Sequence, residues 1–127
     1  MSPTAAPLHV NYLEFTTRDL AAAERFLVAA FGWTFVAYGP DYTAFTSGPL
    51  NGGLAADPAA PLTGNVLTIL FAADLEEALA RVHAAGGAEI TAAPYEFPGG
   101  RRFEFTAPGG LRLAVWSDRR ADGSKIA

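Results

Sequence analysis

The chain carries one structural plan twice, and that duplication limits its fold more than any other feature. His9-Val10-Asn11-Tyr12-Leu13-Glu14-Phe15 reads as a strand, and after a turn Asp19 opens a helical stretch to Phe31. Val66-Leu67-Thr68-Ile69-Leu70-Phe71 reads the same way, and Asp74 opens a second stretch to Ala85. Leu20, Ala23, Phe26, Leu27 and Ala30 recur at helical spacing, as do Leu75, Ala78, Leu79 and Val82. Each Asp is placed to cap free N–H groups, Glu77 follows Asp74 in a capping-box pattern, and Gly32 and Gly86 close the helices. Three short strands then follow each helix: Thr34 to Tyr38, Tyr42 to Thr46 and Leu54 to Ala56, then Glu89 to Ala92, Arg102 to Thr106 and Leu111 to Ser117. Phe45-Thr46-Ser47-Gly48 and Phe105-Thr106-Ala107-Pro108 fall at equivalent places. A tandem β-α-β-β-β repeat with one pseudo-twofold axis follows. It spans 8–118 as a single domain, with modules at 8–57 and 65–118, a Pro/Ala-rich linker from Asp57 to Gly64, and flexible termini at 1–7 and 119–127.

Composition removes several function classes. Half of the 127 residues are apolar and 17% are charged, a globular balance in a chain long enough for its own core. The net charge of −4 argues against nucleic acid or an anionic membrane surface as partner. With no cysteine, disulfide scaffolds, thiolate metal sites and cysteine nucleophiles are excluded. Residues 1–7 show no secretory pattern and no apolar run reaches the ~20 residues of a membrane helix, so a cytoplasmic location is expected.

Alternation assigns the strand faces. Leu13 and Phe15, with Leu67, Ile69 and Phe71, are expected under the helices, leaving Tyr12, Glu14, Thr68 and Leu70 on the opposite face. Arg102 and Glu104 alternate with Phe103 and Phe105, and Arg112, Ala114 and Trp116 with Leu111, Leu113 and Val115. The helix-free face is thus a mixed polar and aromatic concavity.

Arg18-Asp19-Leu20-Ala21-Ala22-Ala23-Glu24-Arg25-Phe26, Phe31-Gly32-Trp33, Asp74-Leu75-Glu76-Glu77-Ala78, Ala85-Gly86-Gly87 and Phe105-Thr106-Ala107-Pro108-Gly109-Gly110 together resemble the vicinal oxygen chelate superfamily, the glyoxalase, bleomycin-resistance and extradiol-dioxygenase group. The resemblance implies an α+β fold: two modules whose sheets curl into an open eight-stranded cup with the helices outside. It also implies a divalent ion held by His and carboxylate residues of the first, fourth, fifth and eighth strands. Carried over one by one, those positions fall on Tyr12, on Gly53 or Ala55, on Thr68 and on Ala114. None is an ordinary ligand. No cofactor is therefore expected, and a divalent metal is implied by the resemblance alone.

Glu14 and Glu104 are the candidate catalytic residues, as acid/base groups or as a makeshift metal site with His9. The plainer reading pairs Glu14 with Arg102 or Arg112, and Glu104 likewise. Tyr12, Tyr42, Thr68, Arg102, Arg112 and Trp116 are the candidate ligand-binding residues, with Trp33 placed at the module's end and His83 on the helix surface. Gly99-Gly100-Arg101-Arg102 reads as an anion clasp or a solvated edge, and no serine-nucleophile motif accompanies either histidine. Three functions compete: a metal-free small-molecule-binding protein like the resistance-type members, a metal-free lyase or isomerase using Glu14, and a lyase or dioxygenase with relocated metal ligands. A small-molecule ligand and a homodimer are expected in the first.

Overall fold

The structure, a computed structural model, describes residues 7, 10–60 and 66–127. The elements follow the expected order: β1 (Tyr12–Thr17), α1 (Leu20–Phe31), β2 (Thr34–Ala37), β3 (Tyr42–Thr46), β4 (Asn51–Ala56), β5 (Thr68–Phe71), α2 (Leu75–Ala85), β6 (Glu89–Phe97), β7 (Gly100–Ala107) and β8 (Leu111–Ser117). Each module makes one four-stranded sheet, ordered β1-β4-β3-β2 and β5-β8-β7-β6. The first strand of each runs parallel to the last, and the other pairs are antiparallel. Among the described residues no strand pairs across the two sheets, so the architecture is α+β without a closed barrel. Among the described residues no helix is long and apolar enough to cross a membrane.

The helix signals act as read. The Asp19 carboxylate accepts the Ala22 N–H at 3.0 Å and the Asp74 carboxylate accepts the Glu77 N–H at 3.0 Å. Gly32 takes the left-handed conformation and returns its N–H to the Val28 carbonyl at 2.9 Å. The buried stripe of α1 is Ala23, Phe26, Leu27 and Ala30, and that of α2 is Leu75, Ala78 and Val82. Both stripes enter one core, in which Phe26 of the first module lies 5.9 Å from Phe105 of the second.

Three expectations change. β4 begins at Asn51 and not at Leu54 because Gly52 is needed where the strands pack: a β-carbon there would overlap the Leu13 carbonyl and the Phe45 ring. β6 continues to Phe97 through Pro94, which an edge strand with register shifts after Ile90 and Ala92 accommodates. In β5 the faces are exchanged. Leu70 pairs with buried Val115 and packs on the core, whereas Ile69 and Phe71 are 43% and 56% exposed. Leu67, Ile69, Leu70 and Phe71 offer no polar alternation, so the strand's phase is set by β8.

Residues 119–127 are not a loose tail. Arg119 pairs with Lys125, the Ile126 N–H reaches the Asp118 carbonyl at 2.8 Å, and burial of the Ile126 side chain holds the segment down. Of the linker, 61–64 lie outside the described residues, and Ala60 is buried, its carbonyl accepting from Arg18 Nε at 2.5 Å.

Candidate functional site

Two polar clusters occupy the helix-free faces, one on each sheet. On the first, Glu14 is opposite Gly53, and Tyr12 reaches diagonally so that its hydroxyl lies 2.5 Å from that of Tyr42. Gly53 makes that meeting possible: a β-carbon there would overlap Tyr42 and come within 2.7 Å of the Tyr12 hydroxyl. The hydrogen bond with Tyr12, then burial, then the neighbouring Glu14 carboxylate push the Tyr42 phenol well above the usual tyrosine range, so it stays a protonated donor. Among the described residues no basic group forms an ion pair with Glu14. The expected pairing with Arg102 or Arg112 does not form because both arginines serve Glu104.

On the second sheet, Glu104 receives Arg102 at 3.3 Å, Arg112 at 3.1 Å and the Tyr95 hydroxyl at 2.7 Å. Tyr95 also accepts from Arg102 Nε, and the guanidinium lies 5.5 Å from the Tyr95 ring centre. The Tyr95 hydrogen bond, followed by the two arginines, holds the Glu104 carboxyl below the ordinary carboxylate range. Trp116 stands edge-on to Phe71 at 5.1 Å and lies 6.4 Å from Phe97. Register brings these residues together: Tyr95, Arg102 and Trp116 lie on one line across the strands, with Phe71 beyond. Tyr95 carries no signal in the sequence alone, because the strand expected over Glu89 to Ala92 stops short of it and only the full β6 brings it to Arg102. Arg101 is not available for an anion either; it makes a bidentate pair with Glu76 at 2.8 and 2.9 Å.

Glu14 and Glu104 therefore stand on different sheets, and no hydrogen bond joins them. Thr68 pairs with fully buried Leu113 and turns to the helix side, away from the Tyr12 and Glu104 clusters. The residue of β5 opposite Ala114 is Ile69. The positions that the resemblance would give to metal ligands present Tyr12, Gly53 or Ala55, Thr68 and Ala114, and Thr68 turns away from the others. Among the described residues no three His, Cys, Asp or Glu side chains gather, and these groups do not fit a divalent ion. His9, the proposed third ligand, lies outside the described residues, and His83 is on the exposed flank of α2.

The cavity is elsewhere than expected. A cleft of about 580 Å³ opens between the modules, on the helix side of β1 and around β5. Leu13 and Phe15 line one wall, Leu70, Phe71 and Val115 another, and Trp33 and Phe45 stack at 4.6 Å in its depth. Trp33 is expected at the module's end; instead Phe31 packs 6.3 Å from Phe105 of the second sheet and 5.9 Å from Trp33, and both line the cavity. Among the described residues three polar side chains reach the cavity: Ser47, Thr68 and Arg81. Of the residues proposed for ligand binding, only Thr68 borders it.

A sequence model of the glyoxalase/bleomycin resistance protein/dioxygenase superfamily matches residues 9–115. Among solved structures, a glyoxalase/bleomycin resistance protein/dioxygenase from Nocardioides superposes with a TM-score of 0.71 at 21% identity, over 98% of this chain and 91% of that one. A glyoxalase-related enzyme from Fulvimarina pelagi gives 0.73 at 19% identity, over 94% and 97% of the two chains. A lactoylglutathione lyase from Agrobacterium tumefaciens gives 0.70 at 21% identity, over 89% and 96%. No curated protein matches significantly.

Proposed function

Because the chain belongs to the glyoxalase/bleomycin resistance protein/dioxygenase superfamily, we propose that it is a metal-independent small-molecule-binding protein, like the resistance-type members of that group. We place the ligand in the cleft between the modules and the protein in the cytoplasm. The cleft carries this reading: its volume falls within the range of small-molecule sites, and its apolar walls hold few polar groups. Burial of ligand surface against Phe15, Trp33, Phe45 and Leu70 supplies the affinity, at about 25 cal/mol per Å² of apolar area removed from water. The test is a thermal-shift screen of apolar small molecules on the wild type and on Ala78→Phe, which fills the cleft. Ligands at a hundredfold excess over Kd should stabilise the wild type by roughly 2.7 kcal/mol and leave the variant unmoved. Hits that stabilise both proteins equally would count against the cleft.

One observation favours a second reading, a metal-free lyase or isomerase. Among the described residues Glu14 has no cationic partner, and it neighbours the protonated Tyr42 phenol, which places a proton acceptor beside a proton donor. Glu14→Gln would abolish turnover in such an enzyme, whereas it leaves ligand affinity in the cleft unchanged under the first reading.

A further inference from the structure

The walls of the cleft are hydrocarbon, and its polar edge is uneven. The Ser47 hydroxyl is already committed, donating to the Leu50 carbonyl at 2.5 Å. Thr68 contributes a neutral hydroxyl at the first position of β5. Among the described residues Arg81, on α2, is the single charged side chain that lines the cavity. Among the described residues it takes part in no ion pair, although Glu77 precedes it by one helical turn. The other arginines of the second module with an acid in reach are paired: Arg101 with Glu76, and Arg102 and Arg112 with Glu104. A lone guanidinium at the edge of an apolar cavity is a complementary site for a molecule with an apolar body and one anionic end.

We infer that the cleft selects an apolar monocarboxylate, its hydrocarbon portion lying between β1 and β5 and its carboxylate accepting from Arg81. The inference rests on the cleft being the ligand site. The planar guanidinium offers two parallel N–H donors matched to the two carboxylate oxygens, a geometry that an alcohol or a quaternary ammonium does not meet. Arg81 is exposed, so solvent weakens the ion pair, and the expected selectivity is about fivefold rather than several orders of magnitude. The apolar body provides most of the binding, and Arg81 provides the sign.

Octanoate, 1-octanol and octyltrimethylammonium, each below its micellar concentration, separate the two contributions. Calorimetry would give the affinities on the full chain, and the Trp33 indole N–H resonance, assigned with Trp33→Phe, would report occupancy of the cleft. Octanoate should bind about fivefold tighter than octanol and shift the Trp33 signal, with the ammonium weakest. Arg81→Gln should erase the preference for octanoate and keep the octanol affinity. Equal binding of the three probes, or a preference that survives Arg81→Gln, overturns the carboxylate assignment while leaving the cleft as a binding site. If none of them moves the Trp33 resonance, the cleft itself fails. Should Ala78→Phe not fold, Leu50→Phe at the rim provides the blocked control.

Discussion

Gly52 and Gly53 are adjacent and identical, yet their side-chain spaces differ in kind. A β-carbon at Gly52 would overlap the backbone carbonyl of Leu13 on the paired strand, which cannot move without breaking the sheet. At Gly53 it would overlap the far ends of Tyr42 and Tyr12, side chains that can swing away. Gly52→Ala should therefore cost at least about 3 kcal/mol in urea unfolding, and Gly53→Ala about 1 kcal/mol. Gly53→Ala should in addition separate the two phenols and lower the highest tyrosine titration seen by ultraviolet absorbance. Equal losses for the two would refute this distinction. Glu104 supplies a prediction with pH. Its folded-state pKa is depressed, chiefly by Tyr95 and then by Arg112 and Arg102, from an ordinary value of 4.5. The stabilisation is thus fully present above that value and is lost as pH falls through the lower folded value. The urea midpoint should drop as the pH falls below about 4.5, and Glu104→Gln should flatten that drop. The sequence showed these residues but not their partners, because Glu104's third neighbour, Tyr95, joins it only through the register of β6 on β7.

At the scale of elements, the end of β1 is fastened to the turn between β7 and β8. Thr17 is fully buried; its hydroxyl donates to the Gly109 carbonyl at 2.8 Å, and the Arg18 N–H reaches the same oxygen at 3.1 Å. Gly109 has a φ of 89°, and a β-carbon there would overlap the Thr17 hydroxyl, so this glycine meets both a backbone and a packing demand. Ser117 is a counterpart at the end of β8, donating to the Ala73 carbonyl at 3.2 Å. Thr17→Val keeps the volume and removes the donor, and should lower stability by about 1–3 kcal/mol while leaving the circular dichroism spectrum unchanged. A neutral result would mean that water or a shifted backbone replaces the bond. The helices were readable because capping and the 3.6-residue stripe are local, and they agree with the structure almost to the residue. β5 was not, because four residues with few polar positions carry no phase of their own.

At the scale of the whole molecule, the two modules share one core through Phe26, Phe31 and Phe105, but their sheets stay separate. β1 and β5 are edge strands, and Val10, Tyr12, Val66, Ile69 and Phe71 on or beside them expose large apolar surface. We propose that a second copy covers Val10, Tyr12 and Val66, which stand outside the cleft, in a homodimer, since exposed apolar side chains beside unpaired edges favour pairing with another chain. Sedimentation should show a dimer at micromolar concentration, and Val66→Lys should shift it towards monomer. A wild-type monomer at that concentration would end the proposal. The order of elements, the helix caps, the duplication and the family were determined by the sequence alone, because hydrogen-bond capping, side-chain periodicity and glycine conformation act within a few residues. The tertiary structure alone decided the sorting of one expected concavity into two polar clusters, the exchanged faces of β5 and the apolar cleft with Arg81 at its edge. Those depend on strand register and on how Phe26 and Phe31 of α1 pack on Phe105 of the second sheet, and such contacts join residues far apart in the chain, where no local pattern records them.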